Sequence, residues 1–128
     1  MPKLTRLVPM FRAADLRQTI DFYTRILDFA LLNAWPADKP TWCCLGRDAV
    51  EIMFTTGDNP DPPKMTGVLY LNTDDVLALH ARIKAQVTIR WGPEIYHYGM
   101  HEFAIEDCNG YTLSFGQPTD LPATCGAD

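Results

Sequence analysis

Residues 8–27 read VPMFRAADLRQTIDFYTRIL, and this stretch decides the fold. It opens with a short apolar segment, Val8–Arg12, that is typical of a β-strand. Asp15 follows, and aspartate favours helix starts because its carboxylate accepts hydrogen bonds from the first free backbone N–H groups. Apolar side chains then recur at helical spacing, as Leu16, Ile20, Tyr23 and Leu27. The stretch therefore predicts a strand followed by an amphipathic helix.

The same pattern returns sixty positions later in VLYLNTDDVLALHARIKAQV, residues 68–87. The apolar segment Val68–Asn72 leads to Asp74 and Asp75. Helical spacing follows at Val76, His80, Ile83 and Val87. His80 takes the position of Ile20, so we expect a structural helix residue there. A repeat of this length indicates a chain built from two similar modules.

Each helix leads into three strand-like segments, at 29–35, 41–45 and 49–55 in the first module and 87–95, 101–106 and 111–115 in the second. Gly46–Asp48 and Asn109–Gly110 separate neighbouring strands, and Asn-Gly is a strong hairpin signal. The sequence thus predicts an α+β fold of two βαβββ modules. We expect them to form one curved mixed sheet, a cup with the helices outside, whose concave face takes a ligand.

The boundaries follow from composition. Residues 1–117 are expected to form a single domain, with modules at about 5–56 and 67–117. Between them lies a linker, residues 57–66, which is rich in proline. Residues 118–128 are expected to be a tail that is loose or packed along the surface.

Charge and hydropathy exclude several classes of partner. The formal net charge is −5 and the basic residues are scattered, which argues against nucleic acid. No stretch approaches the roughly 20 apolar residues of a membrane helix. The N-terminus has no apolar run behind its charges and does not resemble a signal peptide. We therefore expect a cytoplasmic protein without nucleic-acid or membrane partners.

The cysteines suggest neither a zinc site nor a disulfide framework. There are four, Cys43, Cys44, Cys108 and Cys125, and none forms a C-x-x-C pair. Cys43 and Cys44 are adjacent on a predicted strand, so their side chains face opposite sides. We expect reduced thiols throughout.

Two motifs carry a resemblance to a known family. MFRAADL (residues 10–16) with IDFY (20–23), and EFAIEDCNGYTLSFGQ (102–117), resemble the opening and closing stretches of the glyoxalase, bleomycin-resistance and extradiol-dioxygenase superfamily, the vicinal oxygen chelate proteins. The resemblance covers about residues 5–117. It implies the two-module fold more strongly than any one activity, because one fold hosts many functions.

The resemblance also bears on metal binding. In metal-using members, four inward His, Gln or Glu side chains hold a divalent ion, and the corresponding positions here are Val8, Glu51, Val68 and Ser114. Valine has no donor atom, and serine is a poor ligand for zinc, nickel or iron. The resemblance therefore implies a protein without metal or cofactor. It is closest to the bleomycin-resistance-like branch, whose homodimers sequester a ligand in grooves between subunits.

Glu51 is the one retained polar group of that set. It lies mid-strand among apolar neighbours, and an inward carboxylate costs several kcal/mol unless it is paired. Two interpretations stay open. Glu51 faces a ligand, or it pairs with a fixed partner such as Arg12 or Arg90.

Aromatic and sulfur-containing side chains suggest the rest of the pocket. Strand alternation places Tyr70 on the face of Val68, and Met10 and Met53 on the face of Glu51. Trp35 and Trp42 suit stacking on flat or cationic ligands, although they suit a core or a dimer interface equally well. The expected ligand-binding residues are Met10, Trp35, Trp42, Glu51, Met53, Tyr70, Trp91, Tyr96, Tyr98, His101, Phe103 and Ser114.

The segment from Trp91 to Phe103 is dense in aromatic and histidine side chains. A turn around Tyr98–Met100 would bring His97 and His101 together, and Glu94 or Glu102 would complete a loosely spaced metal set. We favour a rim of the pocket, where His101 hydrogen-bonds a ligand, over a metal site. A plain surface histidine is the alternative.

Three functions remain open from the sequence. The first is a metal-free binding protein that sequesters a small molecule in a cup at a homodimer interface. The second is a glyoxalase- or dioxygenase-like enzyme that uses Glu51, with His101, as acid and base, or holds an atypical metal. The third is a protein whose main role is interaction through its dimer surface.

Overall fold

The computed structural model describes residues 1–57 and 62–124, which fall into two compact units, Met1–Pro63 and Lys64–Asp128. We call them the first and second modules. Each has the element order βαβββ and one four-stranded mixed sheet. The α+β class and the internal repeat are therefore confirmed. Part of the expected linker (58–61) and of the tail (125–128, with Cys125) lies outside the described residues.

The first module begins with a short strand and a capped helix. Its elements are β1 (Met10–Arg12), α1 (Leu16–Asp21) with a π-helical turn (Phe22–Ile26), β2 (Ala30–Trp35), β3 (Trp42–Arg47) and β4 (Val50–Thr55). The sheet order is β1-β4-β3-β2, and only β1 and β4 run parallel. Asp15 caps α1 by accepting a hydrogen bond from the Gln18 N–H at 3.0 Å.

The helical segment of the first module covers one face of its sheet. Tyr23 is fully buried, and its ring lies 5.0 Å from that of Phe54 and 5.5 Å from that of Phe29. Leu16 and Leu27 are buried on the same side. The apolar positions that predicted the helix thus form its core contacts.

The second module repeats this arrangement. Its elements are β5 (Leu69–Asn72), α2 (Val76–Ile83), β6 (Thr88–Tyr96), β7 (Met100–Glu106) and β8 (Thr112–Pro118). The sheet order is β5-β8-β7-β6, with β5 and β8 parallel. Asp75 caps α2 at the Ala78 N–H. His80 packs its ring edge-on against Phe103 at 5.1 Å, which is the structural role that the helical spacing predicts.

Some sequence-based boundaries are wrong by a few residues. Val8 and Val68 precede their strands, and Val87 lies beyond α2. Gly46 and Arg47 belong to β3, which pairs with β4 as far as Arg47 and Val50. The turn is therefore Asp48–Ala49, where Asp48 takes the left-handed φ of 53° that two-residue hairpin loops require.

The end of the described chain packs along β6. The Thr124 N–H donates to the Ile95 carbonyl, and the Ile95 N–H donates to the Thr124 hydroxyl, both at 2.8 Å. Of the two expectations for the tail, packing along the surface holds as far as residue 124. Within the described parts of the chain, no helix is long and apolar enough to cross a membrane.

A bulge in β6 sets the register of the second sheet. The pairing of β6 with β7 shifts between Ile89 and Trp91 and again between Trp91 and Glu94. Gly92 lies between these residues with φ of 74°, and a Cβ there would come 2.3 Å from the Glu102 carbonyl oxygen. Only glycine fits this conformation and this close approach.

We expect Gly92→Ala to lower the free energy of unfolding by about 1–3 kcal/mol, because it combines backbone strain with a clash against β7. Gly67→Ala is the matched control, since no heavy atom lies within 4 Å of a Cβ placed there. Urea denaturation of both variants measures the difference. Equal stabilities for the two variants would contradict the role assigned to the bulge.

Candidate functional site

The second sheet has one face that its helix does not cover. Phe103, Ile105, Leu113 and Phe115 point to the α2 side, where they are buried. Strand alternation then places Glu102 and Ala104 on the opposite, helix-free face. The strand register adds Tyr70, Trp91, Tyr96 and Ser114 to that face. Four of the expected ligand-binding residues therefore share one surface.

Glu102 is the centre of this surface. It is only 2% exposed, and its carboxylate accepts four hydrogen bonds from neutral side chains. The hydroxyl groups of Tyr70 and Tyr98 donate to Oε1 at 2.5 and 2.7 Å. The Trp91 indole N–H and the Ser114 hydroxyl donate to Oε2 at 2.8 and 3.1 Å. We call these five residues the Glu102 cluster.

The hydrogen bonds decide the protonation state of the cluster. Burial alone raises the pKa of Glu102, but the donors Tyr70, Tyr98, Trp91 and Ser114 outweigh it, so the net pKa lies below the ordinary value of 4.5. Burial, followed by the hydrogen bond to the Glu102 anion, raises the pKa of Tyr70. At neutral pH the cluster thus holds one carboxylate anion and protonated phenols.

Two glycines make room for the cluster. The Gly92 bulge lies next to Trp91 in the strand that faces Glu102. On the other side, a Cβ at Gly116 would come 2.7 Å from the Tyr70 hydroxyl oxygen. The absence of a side chain at Gly116 therefore lets that hydroxyl reach the carboxylate.

The aromatic members of the cluster also present surface to solvent. Tyr70 is 47% exposed, Trp91 36% and Tyr98 53%. Tyr98 lies in the turn between β6 and β7, and its ring stacks parallel to that of Tyr96 at 5.6 Å. Since the polar ends of these side chains point at Glu102, the exposed parts are mainly ring surfaces. The arrangement suits stacking with a ligand.

The helix-free face of the first module collects the other expected residues. Strand register places Met10 beside Met53, and Trp35 beside Trp42. Glu51 shares this face and forms an ion pair with Arg6 at 2.9 Å. The expected partners were Arg12 and Arg90. Instead, Arg12 donates to the Thr56 carbonyl and Arg90 pairs with Glu106 on β7.

Cys44 is the further contact of Glu51, at 3.7 Å from Sγ to Oε1. Burial, followed by the hydrogen bond to Glu51, raises the pKa of the Cys44 thiol. Burial raises the pKa of Cys43 to about 11. Both residues are therefore thiols at neutral pH, and Cys43, Cys44 and Cys108 all lie outside disulfides.

Within the second module, two expected ligand-binding residues lie away from the Glu102 cluster. Phe103 is fully buried against α2, because it alternates with Glu102 along β7. His101 has the same parity as Phe103 and is paired with Ile95 and Gln117. His97 lies in the turn and contacts the Tyr98 ring. The structure thus does not bring His97 and His101 into one set of ligands.

The residues do not fit the divalent metal that other members of the resembled family use. Of the four corresponding positions, Val8 and Val68 have no donor atom. Glu51 is paired with Arg6, and Ser114 donates to Glu102. Within residues 1–57 and 62–124, no group of three or more His, Cys, Asp and Glu side chains is arranged to hold a metal ion.

Glu102, the central residue of this candidate site, is not among the ligand-binding residues expected from the sequence. It was considered only as a partner of the histidines. The available signal was an acidic residue in a strand, with Trp91, Tyr98 and Ser114 close in sequence or at matching parity. That signal is weak, because the register shifts of the β6 bulge cannot be read from alternation.

Fold and site together define a two-module βαβββ protein with an aromatic, carboxylate-centred surface. The family model of the Glyoxalase/Bleomycin resistance protein/Dioxygenase superfamily matches residues 5–115. The chain belongs to this superfamily, as the sequence motifs implied.

Solved structures support the same fold. TioX from Micromonospora sp. ML1 is similar with a TM-score of 0.76 and 19% identity, over 89% of this chain and 98% of that one. The bleomycin-binding protein of Streptomyces verticillus, complexed with copper(II)-bleomycin, has a TM-score of 0.67 and 17% identity. The similarity covers 90% of this chain and 97% of that one. Lactoylglutathione lyase from Agrobacterium tumefaciens has a TM-score of 0.71 and 16% identity, over 91% of this chain and 96% of that one. No protein with curated annotation matches the sequence.

The Glu102 cluster makes a prediction about stability and pH. Because the folded pKa of Glu102 lies below the unfolded value, its contribution is fully present above pH 4.5 and is lost as the pH falls through the folded pKa. In Glu102→Gln, the amide cannot accept from both the Trp91 N–H and the tyrosines. We expect a loss of about 1–3 kcal/mol at pH 7.

Chemical denaturation between pH 3 and pH 7 tests this expectation. The stability difference between wild type and Glu102→Gln should shrink below pH 4.5. Glu51→Gln is the control and should change stability by less than about 1 kcal/mol, since its partner Arg6 is largely exposed. A difference that grows as the pH falls would show that Glu102 is protonated in the folded state.

Proposed function

We propose that this chain is a small-molecule-binding protein whose ligand stacks on the aromatic surface of the Glu102 cluster. The observation that carries the proposal is the convergence of Tyr70, Tyr98 and Trp91 on one buried carboxylate, with their rings still partly exposed. Rings held in this way lose little further freedom when a ligand binds. Such preorganisation favours affinity.

The chemistry of the cluster supports binding over catalysis. Both oxygens of Glu102 are engaged, and the residue is almost fully buried, so the carboxylate has no free lone pair directed at a substrate. The phenol hydroxyl groups donate hydrogen bonds to it and keep their protons. The cluster is therefore suited to holding aromatic rings in place and is poorly suited to acid–base catalysis.

The similar solved structures include both a ligand-binding protein and an enzyme. One similar structure is a bleomycin-binding protein in complex with copper(II)-bleomycin, and another is a lactoylglutathione lyase. The first supports sequestration of a ligand by this fold. The enzymatic alternative, with Glu51 as acid or base or with an atypical metal, has weaker support because Glu51 forms an ion pair with Arg6.

Metal analysis of untagged protein separates the binding protein from the enzyme. Stoichiometric zinc, nickel, iron or manganese would favour the enzyme.

We also propose that the protein acts as a cytoplasmic homodimer. The outer strand β2 of the first sheet exposes Leu31, Leu32 and Trp35, at 45%, 54% and 68%. Apolar side chains in a row on an outer strand support contact with a second copy. Sedimentation at micromolar concentration should give a dimer, and a monomer would contradict this part of the proposal.

The binding proposal is tested by calorimetry and thermal shift with a panel of flat aromatic compounds at equal molar ratio. For any compound that binds, Tyr98→Ala should weaken affinity about tenfold, because a stacking partner is lost. Leu77→Ala, on the exposed side of α2, is the control and should leave affinity unchanged.

Trp35→Ala distinguishes the two modules. If Trp35→Ala weakens binding and Tyr98→Ala does not, the ligand lies on the first module and the proposed site is wrong. If no compound of the panel binds to the wild-type protein, the proposed function itself fails.

A further inference from the structure

Within residues 1–57 and 62–124, no cationic side chain forms an ion pair with the Glu102 carboxylate. Its four partners are a tyrosine pair, a tryptophan and a serine, all neutral. Among the residues that the structure describes, the ion pairs involve Glu51, Asp21, Asp48 and Glu106 but not Glu102. Arg90, on the neighbouring strand β6, is held by Glu106 and the Gly110 carbonyl.

A buried, unbalanced carboxylate is expensive to keep. Removal of an ionised group from water costs several kcal/mol, which hydrogen bonds offset only in part. The four hydrogen bonds occupy both oxygens of the carboxylate, an acceptor capacity that an uncharged amide lacks, but they leave its negative charge without a counter-ion. The charge itself is therefore the feature that needs a partner.

The geometry directs this charge towards the exposed rings. The hydroxyl groups of Tyr70 and Tyr98 each donate a hydrogen bond to the carboxylate, which makes the phenol rings richer in electrons. Trp91 donates its indole N–H in the same way, and tryptophan offers the best face for a cation. A cation on any of these rings would also be attracted by the anion that the polar end of the ring contacts.

We propose that the ligand of the Glu102 cluster is a planar organic cation, an aromatic ring system that carries a positive charge. This inference rests on the proposed function and names the class of its ligand. The planar ring stacks on the exposed aromatic surfaces, and the charge is recognised by the rings and by the anion behind them. The net charge of −5 favours the approach of such a ligand.

Two probes of the same shape separate charge from stacking. N-Methylquinolinium and 1-methylnaphthalene are both flat, two-ring compounds of similar size, and they differ in charge. We expect the wild-type protein to bind the quinolinium at least tenfold more tightly than the naphthalene. Titration calorimetry, or quenching of tryptophan fluorescence, measures both affinities.

Glu102→Gln then removes the charge while it keeps the size of the side chain. We expect this variant to lose about tenfold more affinity for the quinolinium than for the naphthalene, because both probes feel any loosening of the rings but only the quinolinium feels the loss of the charge. Asp21→Asn removes a charge from α1, outside the expected ligand-binding residues, and should leave both affinities unchanged. The naphthalene affinity reports whether the ring surface is intact in each variant.

The outcomes distinguish this inference from the function on which it rests. Equal affinities of the wild-type protein for the two probes would overturn the cationic ligand and leave the binding function standing. If Glu102→Gln lost the same factor in affinity for both probes, the role of Glu102 would be purely structural and the cationic ligand would be overturned. If neither probe bound to the wild-type protein, the proposed site would fail together with this inference. The wild-type comparison needs no variant and remains decisive if Glu102→Gln does not fold.

Discussion

The buried carboxylate of Glu102 is the constraint on which the surface of the second module depends. Four side chains from β5, β6, β8 and the β6–β7 turn donate to its two oxygens. Each donor comes from a different element, so the anion links elements that are distant in sequence. The donors in turn keep the carboxylate ionised although it is buried. The carboxylate depends on these donors, because a buried charge without hydrogen-bond partners carries a large cost.

Backbone features of the sheet are adapted to this interaction. Gly92 bulges next to Trp91 and lies against the Glu102 carbonyl, where no other residue fits. Gly116 leaves the space that the Tyr70 hydroxyl occupies. Two register shifts in β6 place Trp91 beside Ala104 and Glu94 beside Glu102. The irregular part of the sheet is thus the part that presents aromatic rings, as is common where a fold carries function.

The fold could be read from the sequence because its signals are local. Asp15 and Asp75 mark the helix starts, and helical spacing of apolar residues and a sixty-residue repeat give the modules. Strand alternation placed Tyr70 on the face of Val68, and the strand register pairs Tyr70 with Ser114. It could not identify Glu102 as the central carboxylate, because that depends on the bulge and on donors from four elements. Glu51 was selected instead, and its partner Arg6 comes from a segment before β1 that has no periodic pattern.

The two modules use the same element order for different surfaces. In the first module, Glu51 of the helix-free face forms an ion pair with Arg6. In the second, Glu102 accepts hydrogen bonds from neutral donors that include aromatic side chains. The central claim is that Glu102 is an anion in the folded protein. A carbon-13 NMR titration of the Glu102 carboxyl group tests it most directly. The account predicts a pKa below the ordinary 4.5. A pKa above that value would mean that burial outweighs the four hydrogen bonds, and would contradict the account.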